Sequence, residues 1–352
     1  MTGAGMKPVG VGILGAAHAH AGMYCARWRE QPALGVRVVG AWDHDASRAG
    51  AFCAGHGLEA EPSADALLAR RDVDAVVIAS ETSMHAGLVV QAAAAGKTIV
   101  LQKPLALTLA QADMIADAVR RSGVPFTMAW QMRVDPHNMR IRDLLSGGEF
   151  GRVFLLRRRH CLPTQQWKDF DRTWHVNPAF NRDIFADDAA HAIDFIYWLR
   201  GMPSSVVAEL GSLLNPAIPN DNGIAVFRYA DGSFAEASCT FTAVAGENVT
   251  EVVCANGTIV ENYGDVPSCN IPWPPGGIQL KWFLAGSGQW SASELPDIRS
   301  QGERISGLAA PLAEFLQGRR APIATAEEGR DVLRMVLACY ESMEQGKRIE
   351  FT

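Results

Sequence analysis

Three side chains stand out by type and position. Lys103 follows the apolar run Thr98–Leu101 and is fixed by Pro104 behind it. Asp187 and His191 lie four positions apart at the start of a helical pattern. That spacing puts two side chains on one face of a helix. Histidine titrates near neutrality and can accept a proton. A lysine held beside another positive charge has its pKa lowered, which prepares it as a base or donor. Such a set suits removal of a hydroxyl proton while hydride leaves to an acceptor. Blander readings compete. A lysine before proline is commonly a surface residue, and a histidine on an amphipathic helix is commonly packed and hydrogen-bonded. Asp194 reads as a cap or brace rather than a reactant.

The elements that must position these residues fall into two groups. Up to about residue 130, apolar runs alternate with helical patterns: Val9–Leu14, Val36–Trp42, 73–79, Thr98–Leu101 and 125–130, with helices over 21–31, 85–95 and 108–121. The runs are continuously apolar, as in strands buried on both faces of a parallel sheet. Thr108 is a good N-cap and Gly123 a good stop. Repeated strand–helix units imply a doubly wound α/β sheet, a Rossmann architecture. Strand ends in such a sheet face the ligand, which is where Lys103 stands.

The first turn reads Gly12-Ile13-Leu14-Gly15-Ala16-Ala17-His18-Ala19-His20. Gly15 can make the turn after the strand, and a small Ala17 lets backbone approach a pyrophosphate at the helix start. Ala17 and His20 stand where the glycine fingerprint has its second and third glycines. His18 then reads as a phosphate-loop contact or a surface residue. His18 and His20 are too few for zinc, so no metal is expected. Asp43 ends the second strand, where a carboxylate accepts bonds from the adenosine ribose and repels a 2′-phosphate. This favours NAD, with NADP less favoured; Arg48 softens the preference.

Beyond residue 130 a helix over 136–145 leads into strand patterns over 153–159, 205–210, 223–229, 233–242 and 249–255. Tight turns at Ala230-Asp231-Gly232 and Ala255-Asn256-Gly257 imply an antiparallel or mixed open sheet in an α+β domain. Helices are expected over 188–200, 303–316 and Ala326–Gln345, the last opening on a capping box at Thr325. The proline-rich stretch 265–277 reads as a loop. The domains are thus a dinucleotide-binding unit over 1–130 and a substrate-binding and oligomerisation unit over 131–352.

Charge and composition narrow the class. The net charge is −6 and the basic residues are dispersed, so no nucleic-acid partner is expected. Arg157-Arg158-Arg159 reads as a strand with alternate arginines in solvent, or as a group facing substrate. No apolar run is long enough to span a membrane. Seven scattered cysteines without a CxxC pair fit a reducing, cytoplasmic setting.

At Gln102-Lys103-Pro104 the chain resembles the Gfo/Idh/MocA oxidoreductase family, whose motif here is Glu-Lys-Pro. Further segments carry the same resemblance: Val73-Asp74-Ala75-Val76-Val77-Ile78-Ala79-Ser80 through His85, Ala94-Ala95-Gly96-Lys97-Thr98, Gly148-Glu149-Phe150-Gly151-Arg152-Val153, and Asp187-Asp188-Ala189-Ala190-His191-Ala192-Ile193-Asp194. The resemblance implies hydride transfer between a nicotinamide and a secondary hydroxyl of a sugar, polyol or cyclitol. It implies catalytic roles for Lys103, Asp187 and His191. Of these, His191 is read as proton acceptor, Lys103 as hydroxyl binder and relay, and Asp187 as orienter; Lys103 and His191 could exchange roles. Ser80 and His85 belong to the implied cofactor loop, with Gln102 beside Lys103. It also implies a homodimer or homotetramer through the open sheet face.

The chain departs from that pattern in two places. Gln102 removes a carboxylate near Lys103. Asn181-Arg182-Asp183 replaces a glycine run. Arg182 or His160 is expected to recognise an acidic or heavily hydroxylated substrate. Trp174, Trp167 and Trp273 offer flat faces for a sugar ring or for packing. Two other functions fit the same residues: a glycoside-processing enzyme that oxidises the sugar only transiently, and a non-catalytic NAD and metabolite sensor.

Overall fold

The computed structural model describes residues 7–246, 248–261, 276–298 and 301–351. The chain divides into two compact units, and the division is not a single cut in the sequence. Unit 1 runs to Gln131 and takes in 179–181 and 305–333; unit 2 holds 132–178, 182–304 and 334–352.

Unit 1 is built on five parallel strands: β1 (Val9–Leu14), β2 (Val36–Trp42), β3 (Ala75–Ile78), β4 (Thr98–Leu101) and β5 (Phe126–Met128). Their order is β2-β1-β3-β4-β5. Chain direction across the sheet therefore reverses between β1 and β3, and ligands of open α/β sheets bind beyond the carboxyl ends at such a point. β3 and β4 are wholly buried apart from Thr98, as their unbroken apolar sequence requires.

The unit's first helices are α1 (His20–Glu30), α2 (Ala46–His56), α3 (Ala64–Ala69), α4 (His85–Ala94) and α5 (Leu109–Ser122). Thr108 caps α5 through Gln111 N, and Gly123 ends it in the left-handed region, as the sequence predicts. The sequence reading had no α2 or α3. Both carry clear caps: Asp45 accepts from Ser47 N and Arg48 N, and Ser63 from Ala66 N.

Unit 2 opens with α6 (Pro136–Ser146). Among the described residues its sheet has nine strands. Six come early: β6 (Val153–Cys161), β7 (Ser205–Gly211), β8 (Asn222–Arg228), β9 (Phe234–Thr240), β10 (Val249–Cys254) and β11 (Gly257–Glu261). The rest are β12 (Leu280–Leu284), β13 (Ser291–Ala292) and β14 (Ile349–Glu350). The order is β13-β12-β11-β10-β6-β9-β8-β7-β14, antiparallel throughout except for the β6–β9 pair. The π-helical turn Phe185–Ala189 and then α7 (Ala190–Arg200) connect β6 to β7. A single helix over 188–200 is therefore corrected to a π turn followed by an α-helix.

The later helices are α8 (Gln301–Gly307), α9 (Ala309–Leu316) and α10 (Ala326–Gln345). One helix over 303–316 is thus corrected to two. Pro311 lacks an N–H and its ring crowds the carbonyl four residues earlier, that of Gly307, so the ladder stops there. At α10 the capping box forms: Glu328 N donates to Thr325 Oγ1 at 3.2 Å, and Thr325 N to Glu328 Oε2 at 2.9 Å. Most of the stretch 265–277, Trp273 included, lies outside the described residues. Among the described residues no helix is long and apolar enough to cross a membrane, and the six cysteines described there are buried and form no disulfide.

Candidate active site

The candidate cofactor residues gather at the carboxyl ends of β1 to β4. Gly15 takes φ +83° and passes so close to β3 that a Cβ would stand 2.4 Å from Ser80 Cα. Only glycine accepts both the conformation and the approach. His18 N donates to Ala79 O at 2.9 Å, tying the turn to the same strand end, and the His18 ring meets His20 edge-on at 4.2 Å. Ala17 is half-buried beside it. α1 then begins with no side-chain cap and no acidic residue in its first turn.

Asp43 is 4% exposed and accepts four hydrogen bonds: from Ala16 N, Asp45 N, Arg48 Nε and Arg48 Nη2. Burial by itself would raise its carboxyl. Arg48 and the two amides outweigh that and hold it below the ordinary range.

At the ends of β3 and β4, His85 works as a brace. Its Nδ1 lies 2.9 Å from Pro104 O and its Nε2 3.2 Å from Ser80 O. Burial pushes its pKa down to about 4, so the ring is neutral. Lys103 is buried, and its peptide bond to Pro104 is cis. Gln102 Nε2 donates to the buried Tyr24 hydroxyl at 2.6 Å. Burial raises that phenol well above its ordinary value, so it stays protonated. Gln102 Oε1 and Thr82 Oγ1 are buried polar atoms that this chain leaves unsatisfied.

The second group of residues lies in unit 2 around the π turn. Asp187 and His191 are buried there. His191 Nε2 stands 3.7 Å from Asp188 Oδ1, and its ring 5.8 Å from that of His160 at the end of β6. His175 Nε2 lies 4.0 Å from Asp187 Oδ2, and the half-buried Trp174 stacks on the His175 ring at 4.0 Å. The π turn and the first turn of α7 thus carry two carboxylates and an imidazole, with two further imidazoles facing them. π turns recur at functional sites. His175 and Asp188 were not singled out from sequence as site residues. The signal was present in Trp174-His175 and in the doubled aspartate, but the ordinary helical period hides what a π turn does.

Two neighbours hold this cluster. Asp183 accepts from Ala186 N at 2.9 Å, Tyr340 Oη at 2.5 Å and Asn220 Nδ2 at 2.7 Å, anchoring the start of the turn. Asp194 receives Arg133 through Nε and Nη2, both side chains buried, which makes it the brace its position implied. Arg182 is exposed, its guanidinium 4.1 Å from the Tyr340 ring. In the arginine run Arg158 is buried against Glu261 at 2.9 Å, while exposed Arg157 pairs with half-buried Glu236 and Glu251.

Comparison with known proteins fixes the family. Residues 9–130 match the oxidoreductase family with an NAD-binding Rossmann fold, and residues 138–260 match the Gfo/Idh/MocA C-terminal domain. Together these cover well over half of the sequence in the family's own order. The chain belongs to the Gfo/Idh/MocA oxidoreductase family.

Its relatives include inositol 2-dehydrogenase 2 of Paenarthrobacter aurescens, 29% identical over 266 residues, which are 71% of this chain and 73% of the relative. The uncharacterized oxidoreductase YrbE of Bacillus subtilis is 29% identical over 174 residues, 48% of this chain and 49% of the relative. The chain therefore spans about half the length of some of these relatives. Levoglucosan dehydrogenase, solved with NADH and L-sorbose, shares the fold with a TM-score of 0.83 at 20% identity, over 99% of this chain and 100% of that one.

The residues of this Gfo/Idh/MocA protein fit a dinucleotide. The glycine turn, the uncapped start of α1, the carboxylate ending β2 and the unsatisfied atoms of Thr82 and Gln102 all lie at strand ends next to the reversal point. Gly15, Ala17 and His18 would face the phosphates and Asp43 the adenosine ribose, while Ser80, Gln102 and Lys103 line the ends of β3 and β4.

Proposed function

We propose that this protein is an NAD-dependent dehydrogenase of a secondary hydroxyl on a sugar, sugar derivative or cyclitol. The observation that carries the reading is the acid–base cluster of buried Asp187, His191 and His160 with half-buried Asp188 and His175, gathered around a π turn in a member of an NAD-binding oxidoreductase family. A cluster of this composition is costly to bury and suits a site that moves protons. NAD, when bound, accepts the hydride. His191 takes the hydroxyl proton, Asp188 supports the imidazolium that results, and Asp187 with His175 orients the group. Lys103 is assigned the part of hydroxyl binder and relay that its motif implies. His160, Trp174 and Arg182 select the substrate. Several relatives bear the names of inositol dehydrogenases, which supports a ring bearing several hydroxyls. The open face of the second sheet exposes Ile224 and Phe234, and a homo-oligomer that covers it is part of the proposal.

The test follows absorbance of NADH while protein and NAD meet inositols, free sugars, sugar acids and aryl glycosides, with product analysis alongside. Net NADH with a cyclitol or sugar is expected. Glycoside cleavage without net NADH would replace this reading with transient oxidation. Silence with NAD bound would replace it with a sensor.

A further inference from the structure

The carboxylate that ends β2 has no acceptor site to spare. A carboxylate offers about four lone-pair positions. Asp43 fills them with Ala16 N and Arg48 Nε on Oδ2, both at 2.7 Å, and Asp45 N at 2.8 Å and Arg48 Nη2 at 2.7 Å on Oδ1. The two amides belong to turns that the fold fixes. Arg48 is the only side chain among the donors. A ribose hydroxyl that bonds Asp43 must therefore displace Arg48.

Glu81, just past β3, decides where the displaced arginine goes. Its side chain is 2% exposed and accepts from the same Arg48 Nη2 at 2.7 Å. His44 Nε2 lies 3.1 and 3.0 Å from the two Glu81 oxygens and 3.1 Å from Arg48 Nη2, closing the group. Two carboxylates thus share one guanidinium, and the group is net negative when His44 is neutral. A 2′-phosphate arriving here would need Arg48 as its partner and would have to take it from Glu81.

We propose that Glu81 is a determinant of cofactor preference: it retains Arg48 when the adenosine ribose takes Asp43, and so denies the arginine to a 2′-phosphate. This inference rests on dinucleotide binding by unit 1 and is independent of which substrate is oxidised. Without the Glu81 charge, Arg48 is free to turn to a phosphate, for which its fork of donors is well matched.

The test is binding rather than turnover. Dissociation constants for NAD and NADP are measured by calorimetry on wild type, Glu81→Gln, His44→Gln and the double variant Glu81→Gln/Arg48→Met. Wild type is expected to prefer NAD. Glu81→Gln should improve NADP binding relative to NAD by about tenfold or more, the scale of one hydrogen bond to a charged group. His44→Gln should shift the ratio the same way by less, and the double variant should lose the gain. An unchanged ratio in Glu81→Gln overturns the inference, as does a gain that survives loss of Arg48. A wild type that binds neither dinucleotide overturns the cofactor assignment itself, and the inference with it.

Discussion

Replacing Asp194 by alanine removes one half of a buried ion pair and leaves the other. Arg133 and Asp194 have side-chain exposures of 2% and 0%. Three contacts join them: Arg133 Nε at 3.1 Å to each carboxylate oxygen and Nη2 at 2.7 Å to one. Breaking such a pair from one side costs about 3–5 kcal/mol, because a guanidinium stays buried without its charge partner. Asp194 lies three residues beyond His191, so the two share a face of α7. Loss of the brace should loosen the turn that carries His191. The assay is native-state hydrogen exchange of the amides of α7. Their exchange should accelerate by about a hundredfold to several thousandfold. Arg133→Met together with Asp194→Ala should recover most of the loss, since the orphaned charge goes with it. An acceleration under about tenfold, or a double variant no better than the single one, would refute the reasoning.

Three further outcomes follow from the same structure. His85 has a folded pKa of about 4 against 6.5 unfolded, so the unfolded chain binds more protons between those values. Stability should therefore fall as pH drops through that window, by about 3 kcal/mol in total, and His85→Gln should flatten that part of a urea-midpoint profile. Burial raises the Asp183 carboxyl above its ordinary value, so stability is lost as pH rises from that ordinary value through the folded one. Asp183→Asn should thus cost less stability at pH about 8 than at pH about 4, in denaturation curves recorded at both. Lys103→Ala should lower kcat/KM for the substrate found by the panel by about 10²–10⁴-fold, while calorimetry still records NAD binding.

Much of the first unit was legible because its signals are local. Continuous apolar runs gave β1, β2 and β4 their bounds, and Thr108 and Gly123 gave α5 its ends. Where function depends on contacts between distant segments, the sequence was silent. Nothing near Asp43 announces that it shares the Arg48 guanidinium with Glu81, because Glu81 lies 33 residues beyond Arg48. Asp187 and His191 were read as helical neighbours on one face. Across the π turn and the first turn of α7 each has a further neighbour, His175 for Asp187 and Asp188 for His191. Arg158 illustrates the same limit. Its neighbours suggest a solvent-facing strand, and the alternation is real, but the middle arginine turns inward to Glu261, 103 residues away. β14 is two residues long and owes its place to pairing with β7 rather than to propensity.

The central claim is that hydride leaves a hydroxyl-bearing carbon for the nicotinamide. It is tested most directly by incubating the protein with NAD and the substrate deuterated at its ring carbons, then weighing the NADH formed. The account predicts NADH one mass unit heavier, with the label on the nicotinamide ring and a ketone in the product. Unlabelled NADH, or a product at the same oxidation level as the substrate, would contradict it.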